Sequence, residues 1–366
     1  LFIPLFQMKN QQSKYRVFFD LNHPADFHFF KHLMKWMNTQ NIPIKVVARD
    51  KECLHLLLDD AGIAYTSRGR GKNSITGKYL YGIQILLLLL FMFIKFRPNL
   101  ACGLSSPYLV IASRILGKPC ITFDDTDNNP RLLPLIRKST FLISPSTYPY
   151  NFHKRHFHLP VLKELAYLHP GLFNSEVERS GLFFRITRTD SIHHSTSSKL
   201  DHSVVLERME SLSREHTVFL SSELEIKYLD NTSIRPANPI QIHKDLASCN
   251  VFWGNSATMA AEAAVLGIPA VFVSAEKFAY ITELEQYGLL YYYHPADLVN
   301  SLNKLEVIMN GDPSEDQLLH SRKKLLREKL DISAFMVWFI DNLPQSADTM
   351  ASNPEYALRF ISGNNE

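Results

Sequence analysis

The stretch Asn250-Val-Phe-Trp-Gly-Asn-Ser-Ala-Thr-Met-Ala-Ala-Glu-Ala-Ala-Val-Leu-Gly-Ile-Pro-Ala-Val-Phe-Val273 reads as strand, turn, helix, turn, strand. Val251 to Trp253 is a short apolar run with β-branched and aromatic character, and Gly254-Asn255-Ser256 supplies residues that tolerate or cap a sharp turn. The spacing predicts a helix over Ala257 to Leu266, stopped by Gly267-Ile268-Pro269, which launches Ala270 to Val273 as the next strand. Ser256 and Thr258 place hydroxyls beside the unpaired N–H groups of the first helical turn, where the helix dipole favours an anion such as a diphosphate. Glu262 follows one turn after Thr258 on the same face, and its carboxylate suits the two hydroxyls of a ribose diol. The same pattern also fits an ordinary βαβ unit whose Ala-rich helix packs closely and whose Glu262 is merely solvated.

Working outward, strands and helices alternate. Arg16 to Leu21, Ile44 to Ala48, Asn99 to Gly103, Cys120 to Phe123 and Phe141 to Ser144 are strand candidates, with helices over Phe27 to Asn38, Lys51 to Ala61 and Pro107 to Leu116. A less regular stretch, Pro145 to Ser180, separates these from a second series. There Leu182 to Ile186, His216 to Leu220, Cys249 to Trp253, Ala270 to Val273 and Leu289 to Tyr292 are the strands, with helices Leu200 to Leu212, Ala257 to Leu266 and Pro295 to Leu305. Regular alternation of this kind implies parallel sheets covered on both faces. The fold class is therefore α/β, with two Rossmann-like domains facing across a cleft, at 14–165 and 166–342. Helices are expected over Glu315 to Lys329 and Ala334 to Asn342, and 343–366 is expected to be a loose polar tail.

A chain of 366 residues, 46% hydrophobic and 20% charged, is long enough for two cores. The net charge of +3 gives no case for nucleic acid. The four cysteines, Cys53, Cys102, Cys120 and Cys249, lie far apart and read as buried thiols of a reducing, cytoplasmic setting. The fifteen histidines are scattered, and no metal is expected. Leu1 to Asn10 is apolar but lacks the basic start and cleavage site of a leader, and Met8 is a candidate first residue. Ile85 to Ile94 is an unbroken apolar run flanked by Arg68, Arg70, Lys72, Lys78, Lys95 and Arg97. It is shorter than the about 20 residues of a span. It reads as a buried or partly buried helix, with peripheral membrane contact through 79–96 at the inner face as the other reading.

Ligands in such folds collect at the carboxyl ends of strands. The segment Asp20-Leu-Asn-His-Pro-Ala-Asp-Phe-His28 follows the first strand. His23 there fits a general base as well as a satisfied structural histidine, while Asp26 is expected to cap the helix and His28 to pack on its face. Ser105 and Ser106 could present hydroxyls to a ligand after another strand. Asp124, Asp125 and Asp127 follow the next, a carboxylate set able to orient sugar hydroxyls, act as acid and base, or hold a divalent cation, one of the three being an expected helix cap.

Asp20-Leu-Asn-His-Pro-Ala, Phe123-Asp-Asp-Thr-Asp, Ser144-Pro-Ser-Thr-Tyr-Pro149, Lys163-Glu-Leu-Ala-Tyr-Leu-His-Pro170 and the Gly254 to Pro269 motif together resemble the domain of unknown function 354 family. That family is similar to non-hydrolysing UDP-N-acetylglucosamine 2-epimerases and to GT-B glycosyltransferases, and the likeness runs over roughly Lys14 to Asn342. The resemblance implies a GT-B fold, a nucleoside diphosphate sugar, of the UDP class, as substrate rather than cofactor, and surface polysaccharide or glycolipid synthesis. Carried over, Gly254, Asn255, Ser256 and Thr258 would meet the diphosphate and Glu262 the ribose, with Arg185 and His193 in the loop after the second domain's first strand. Arg185 would neutralise charge on the leaving diphosphate, or else pair with a carboxylate between domains.

The epimerases' Gly-Thr-Arg-Pro-Glu start and Asp-Ser-Gly-Gly donor loop are replaced here by Asp20-Leu-Asn-His-Pro and Gly254-Asn-Ser-Ala-Thr. Within the family Asp26 and Asp127 stand where His and Glu are common. The expected function is hexosyl or N-acetylhexosaminyl transfer to a saccharide or lipid-linked acceptor, with His23, Asp124 or Asp125 as base. A UDP-N-acetylglucosamine 2-epimerase and a non-catalytic nucleotide-sugar-binding protein are the alternatives.

Overall fold

The computed structural model describes residues 15–361 except 73, 126–132, 176, 189–199 and 227–232. His193, Thr126, Asp127 and the N-terminal Leu1 to Asn10 lie outside the described residues. The chain forms two compact units. The first takes Leu1–Asp124, Asn129–Ile143 and Phe152–His156; the second takes Asp125–Asn128, Ser144–Asn151 and Phe157–Glu366.

In chain order the first sheet and its helices are β1 (Val17–Leu21), α1 (Pro24–Thr39), β2 (Ile44–Ala48), α2 (Leu54–Asp60), β3 (Tyr65–Ser67), α3 (Ile75–Phe96), β4 (Leu100–Leu104), α4 (Pro107–Ile115), β5 (Cys120–Phe123), α5 (Leu133–Ile136), β6 (Phe141–Pro145) and β7 (His156–Leu159). The strand order is β3-β2-β1-β4-β5-β6-β7. The pairs from β3 through to β6 are parallel. β1 is buried along its whole length, as a central strand covered on both faces must be. Phe18 points to one face and meets Phe93 of α3 edge-on at 4.6 Å; Phe19 points to the other and meets Phe30 of α1. Truncating Phe18 to Ala would cost about 3–5 kcal/mol.

The second series is α6 (Leu165–Leu168), β8 (Gly181–Ile186), α7 (His202–Leu212), β9 (Thr217–Ser222), β10 (Ile234–Pro236), α8 (Ile242–Ala247), β11 (Cys249–Gly254), α9 (Ala257–Val265), β12 (Ala270–Val273), α10 (Ala279–Gln286), β13 (Leu290–Tyr293), α11 (Leu298–Met309), α12 (Glu315–Glu328), α13 (Ile332–Asp341) and α14 (Gln345–Ser352). Its sheet runs β10-β9-β8-β11-β12-β13, every pair parallel. Trp253 is fully buried and donates its ring N–H to Ser301 of α11 at 3.1 Å. α9 is covered all round, which its alanines permit; Arg179 donates to the carbonyls of Leu266 and Gly267 and Arg322 to that of Val265, so cations satisfy its C-terminal end.

Three expectations change. The division falls before 165: Phe157 packs on Phe339, and Leu330 donates to the Pro160 carbonyl, so this segment belongs with the C-terminal helices. The expected loose tail is instead ordered through 361. Met350 and Ala357 are buried, Tyr356 stacks on Trp338 and Phe360 meets Phe335 edge-on, giving the apolar face of α13 its cover. The apolar run at Ile85 to Ile94 belongs to a helix of 22 residues, begun by the Ser74 cap, and only one of its faces is buried.

Candidate functional site

Each sheet reverses its winding once, between β1 and β4 in the first unit and between β8 and β11 in the second. The carboxyl ends of the strands flanking such a switch point are where open α/β sheets bind ligands.

In the second unit, Gly254 ends β11. A Cβ there would lie 2.6 Å from the Arg185 carbonyl oxygen, so only glycine lets β11 close onto β8. Asn255 accepts from Thr187 N–H at 2.7 Å and donates to the Thr187 carbonyl at 3.1 Å. Its side chain therefore fastens the loop after β8 to the loop after β11. Ser256 caps α9, accepting from Met259 N–H at 3.5 Å, and Ser256, Ala257 and Thr258 stay partly exposed above the first turn. Arg185, at the end of β8, donates to Ser221 at 2.9 Å and to Glu223 at 2.7 Å, and among the described residues its buried Nε has no hydrogen-bond partner. The carboxylate partner of the alternative reading exists, but within the second unit rather than between domains.

Glu262 is 4% exposed, so it is not the solvated residue of an ordinary βαβ unit. Its Oε1 accepts from the Tyr167 hydroxyl at 2.7 Å and lies 3.1 Å from His243 Nε2. Burial pushes the carboxyl up, but His243, the Tyr167 hydroxyl and the Lys163 charge outweigh it and hold Glu262 below its ordinary range. Burial and the Glu262 charge push Tyr167 well above the usual phenol range. Beside them, Lys163 Nζ meets Asp125 at 2.5 Å and Glu164 at 3.1 Å, over the Tyr280 ring. Burial, with Asp125 and Glu262 adding to it against the pull of Lys163, raises Glu164 to about 7. Two neighbouring carboxyls thus have their affinities for a proton driven apart, the pattern that separates an acid from a permanent anion. Asp125 also lines a shallow depression of about 170 Å³ with Pro145, Thr147, Tyr148, Ala279 and Tyr280.

In the first unit, Asp20 is fully buried at the end of β1. Arg68 Nη1 donates to both its oxygens at 2.8 and 3.0 Å, Ser106 Oγ donates to it at 2.5 Å, and Arg68 also donates to the Asn22 side chain. Ser106 accepts from Leu109 N–H as the cap of α4. Ser105 stands at φ +46°, a left-handed backbone costing a non-glycine residue about 1 kcal/mol or more, and its hydroxyl donates to Asp124 at 2.5 Å. Both serine hydroxyls, expected to face a ligand, are thus engaged inside the unit.

The expected cap, Asp26, instead sits within the first turn of α1, accepting from Asn22 N–H at 2.7 Å; burial raises its carboxyl to about 6. The cap is His23, whose Nδ1 accepts from Ala25 N–H at 3.2 Å while Nε2 faces Glu52 at 3.3 Å, and Pro24 presets the first helical turn behind it. Both ring nitrogens of His23 are thus engaged, one with a backbone N–H of the first turn and the other with a carboxylate. His28 is buried on α1 as expected.

Lys163, Glu164 and Tyr167 were legible only as part of a family string, and His243 was missed. The one local signal was the charged pair Lys163-Glu164 set directly against the apolar Leu165-Ala-Tyr-Leu168.

The chain matches no protein-family model and no curated protein. Among solved structures it resembles the spinosyn forosaminyltransferase SpnP, with TM-score 0.63 and 14% identity over 92% of this chain and 100% of that one. It also resembles the UDP-GlcNAc 2-epimerase of Methanocaldococcus jannaschii, with TM-score 0.56 and 12% identity over 81% and 93% of the two chains. A co-structure of S. aureus MnaA with UDP gives TM-score 0.63 and 9% identity over 95% and 98%. At such identities the likeness is one of fold: two Rossmann-like, parallel-sheet α/β domains of the kind found in GT-B glycosyltransferases and UDP-GlcNAc 2-epimerases.

Proposed function

We propose that this protein is a GT-B-type glycosyltransferase of the domain of unknown function 354 family. It would take a nucleoside diphosphate sugar, of the UDP class, and pass the sugar to a hydroxyl of a saccharide or lipid-linked acceptor at the cytoplasmic side of surface polysaccharide or glycolipid synthesis. The observation that carries this reading is the β8/β11 switch point, where the N-terminus of α9 and the Arg185 guanidinium lie at adjacent strand ends. Backbone N–H groups, the Ser256 and Thr258 hydroxyls and a fixed cation are what a diphosphate needs, in the ground state and more so as it leaves. No metal or other cofactor enters this reading. Glu262 keeps the ribose role through Oε2, with Tyr167 and His243 orienting it through Oε1. Because His23 serves as a cap, the general base passes to the Asp124-Asp125 pair.

Epimerisation at C2 of the same donor is the second reading, supported by a comparable likeness to solved UDP-GlcNAc 2-epimerases, with TM-scores of 0.56 to 0.61 against 0.55 to 0.63 for the glycosyltransferases. Calorimetric titration with UDP, GDP, ADP and CDP of the wild type and of Glu262→Gln tests the donor site. Binding of one nucleotide, weakened roughly tenfold in a folded Glu262→Gln protein, is expected for loss of one charge-assisted hydrogen bond. Failure of all four to bind would remove the donor site. Release of free UDP only with acceptor present marks the transferase, turnover without acceptor marks the epimerase, and binding without either marks a non-catalytic sugar-nucleotide binder.

A further inference from the structure

The exposed face of α3 is an apolar feature of the first unit that the proposed donor site does not use. Tyr79, Leu80, Ile83, Leu87, Phe91 and Ile94 are each between 58 and 73% exposed and recur at helical spacing, forming one stripe along the helix. A contiguous apolar stripe of this size marks a surface that something covers.

The charges say what covers it. From Ala61 to Phe123 the chain carries no Asp or Glu, while it carries Arg68, Arg70, Lys72, Lys78, Lys95, Arg97, Arg114 and Lys118. Arg68 and Arg70 are spent on Asp20 and Asp50. Lys72 and Lys78 flank the start of the stripe and Lys95 and Arg97 its end, all exposed, and Arg114 is exposed on α4, which packs beside α3. An apolar stripe bracketed at both ends by cations complements the acyl boundary and anionic headgroups of a lipid leaflet. A second copy related by a twofold axis would set these cationic ends against one another, an arrangement that like charges oppose.

The helix is long and apolar enough to cross a bilayer. Its opposite face decides against crossing: Ile85, Leu89 and Phe93 are buried against Phe18, Val47 and Ala101 of the parallel sheet, and withdrawing α3 would uncover that core. We propose that α3 docks flat in the interface of an anionic bilayer, with Leu87 and Phe91 in the acyl boundary and Lys72, Lys78, Lys95 and Arg97 at the headgroups. This inference is independent of the donor site and of the reaction.

The test is co-sedimentation of the full chain with phosphatidylcholine vesicles, with and without phosphatidylglycerol. Binding that requires the anionic lipid is expected. Leu87→Glu with Phe91→Glu, both on the exposed face, should weaken it roughly tenfold or more, with circular dichroism unchanged. Replacing Lys72, Lys78, Lys95 and Arg97 by Gln should remove the preference for anionic vesicles and the sensitivity to salt. Wild type that stays in solution, or a folded Leu87→Glu/Phe91→Glu protein that binds as well as wild type, overturns the proposal. So does a dimer by sedimentation equilibrium that Leu87→Glu splits, which would identify a second copy as the cover, or membrane association that survives alkaline carbonate, which would identify a span.

Discussion

At the switch point beside β1 and β4, Asp20, Arg68 and Ser106 are buried and bonded to one another, whereas beside β8 and β11 Ser256, Ala257 and Thr258 stay partly exposed above α9. The strand order is the same at both places, so topology alone does not make a binding site. The difference lies in where the charge goes. In the first unit a buried cation meets a buried carboxylate and the crevice is filled by its own ion pair. In the second, Arg185 is anchored by the partly exposed Glu223 and, among the described residues, its buried Nε meets no hydrogen-bond partner, so a cationic group lies at the strand end next to the partly exposed first turn of α9.

The largest effect should come from breaking the filled side. Asp20→Ala leaves Arg68 buried without its carboxylate and should cost about 3–5 kcal/mol by chemical denaturation. Asp20→Leu combined with Arg68→Met removes both charges and should restore most of that loss, since a buried pair contributes little beyond what apolar packing would. If the single variant unfolds at the wild-type midpoint, the ion pair is not what closes this switch point.

A smaller effect is carried by pH and distinguishes the units by residue. Asp26 in the first unit and Glu164 in the second hold their protons up to about 6 and about 7, against 3.8 and 4.5 in the absence of burial. Carboxyls raised on folding make the folded state bind more protons than the unfolded one, so stability is lost as pH rises from the ordinary carboxylate range through these values. The contribution is about 3 kcal/mol at most for each. Relative to the wild type, Asp26→Asn should make the slope of stability against pH more positive between about 4 and 6, and Glu164→Gln between about 4.5 and 7, because each removes a contribution that falls with pH. If either substitution leaves the slope of stability against pH unchanged over its own window, burial is not what holds the proton on that carboxyl.

How far the sequence could be read follows from the range of each interaction. The β11-α9-β12 unit was legible because Gly254, Gly267 and Pro269 punctuate it locally, and the structure places its elements within a residue of expectation. Strands β3 and β10 went unread because they are three-residue strands at sheet edges, one ending in Pro236, a residue an edge tolerates. The length of α3 was underestimated because Thr76, Gly77 and Lys78 dilute the apolar run, although the Ser74 cap starts the helix there. The polar cluster was illegible for a different reason. Lys163 finds Asp125 across 38 residues and Tyr167 finds Glu262 across 95, and no local pattern encodes pairings of that separation. His23 shows the converse, a residue that the sequence singles out but whose use as a cap depends on the placing of the Ala25 N–H.

The smallest predicted effect separates the two switch points most directly, because both are capped by a serine. Ser106 is fully buried, donates to Asp20 and caps α4; Ser256 is half-buried and, among the described residues, its hydroxyl makes the one long cap bond to Met259. Ser106→Ala removes a cap and leaves Asp20 one donor short, so it should cost about 1–2 kcal/mol, while Ser256→Ala should cost about 0.5–1 kcal/mol. Nucleotide binding should reverse that order. If the proposed donor site holds, the Ser256 hydroxyl meets the diphosphate while the Ser106 hydroxyl is engaged by Asp20, so Ser256→Ala should weaken UDP severalfold and Ser106→Ala should leave it unchanged. Calorimetry on the two folded variants, beside their denaturation midpoints, gives both orders. If the stability and binding losses fall on the same serine, the division into a filled and an open switch point does not hold.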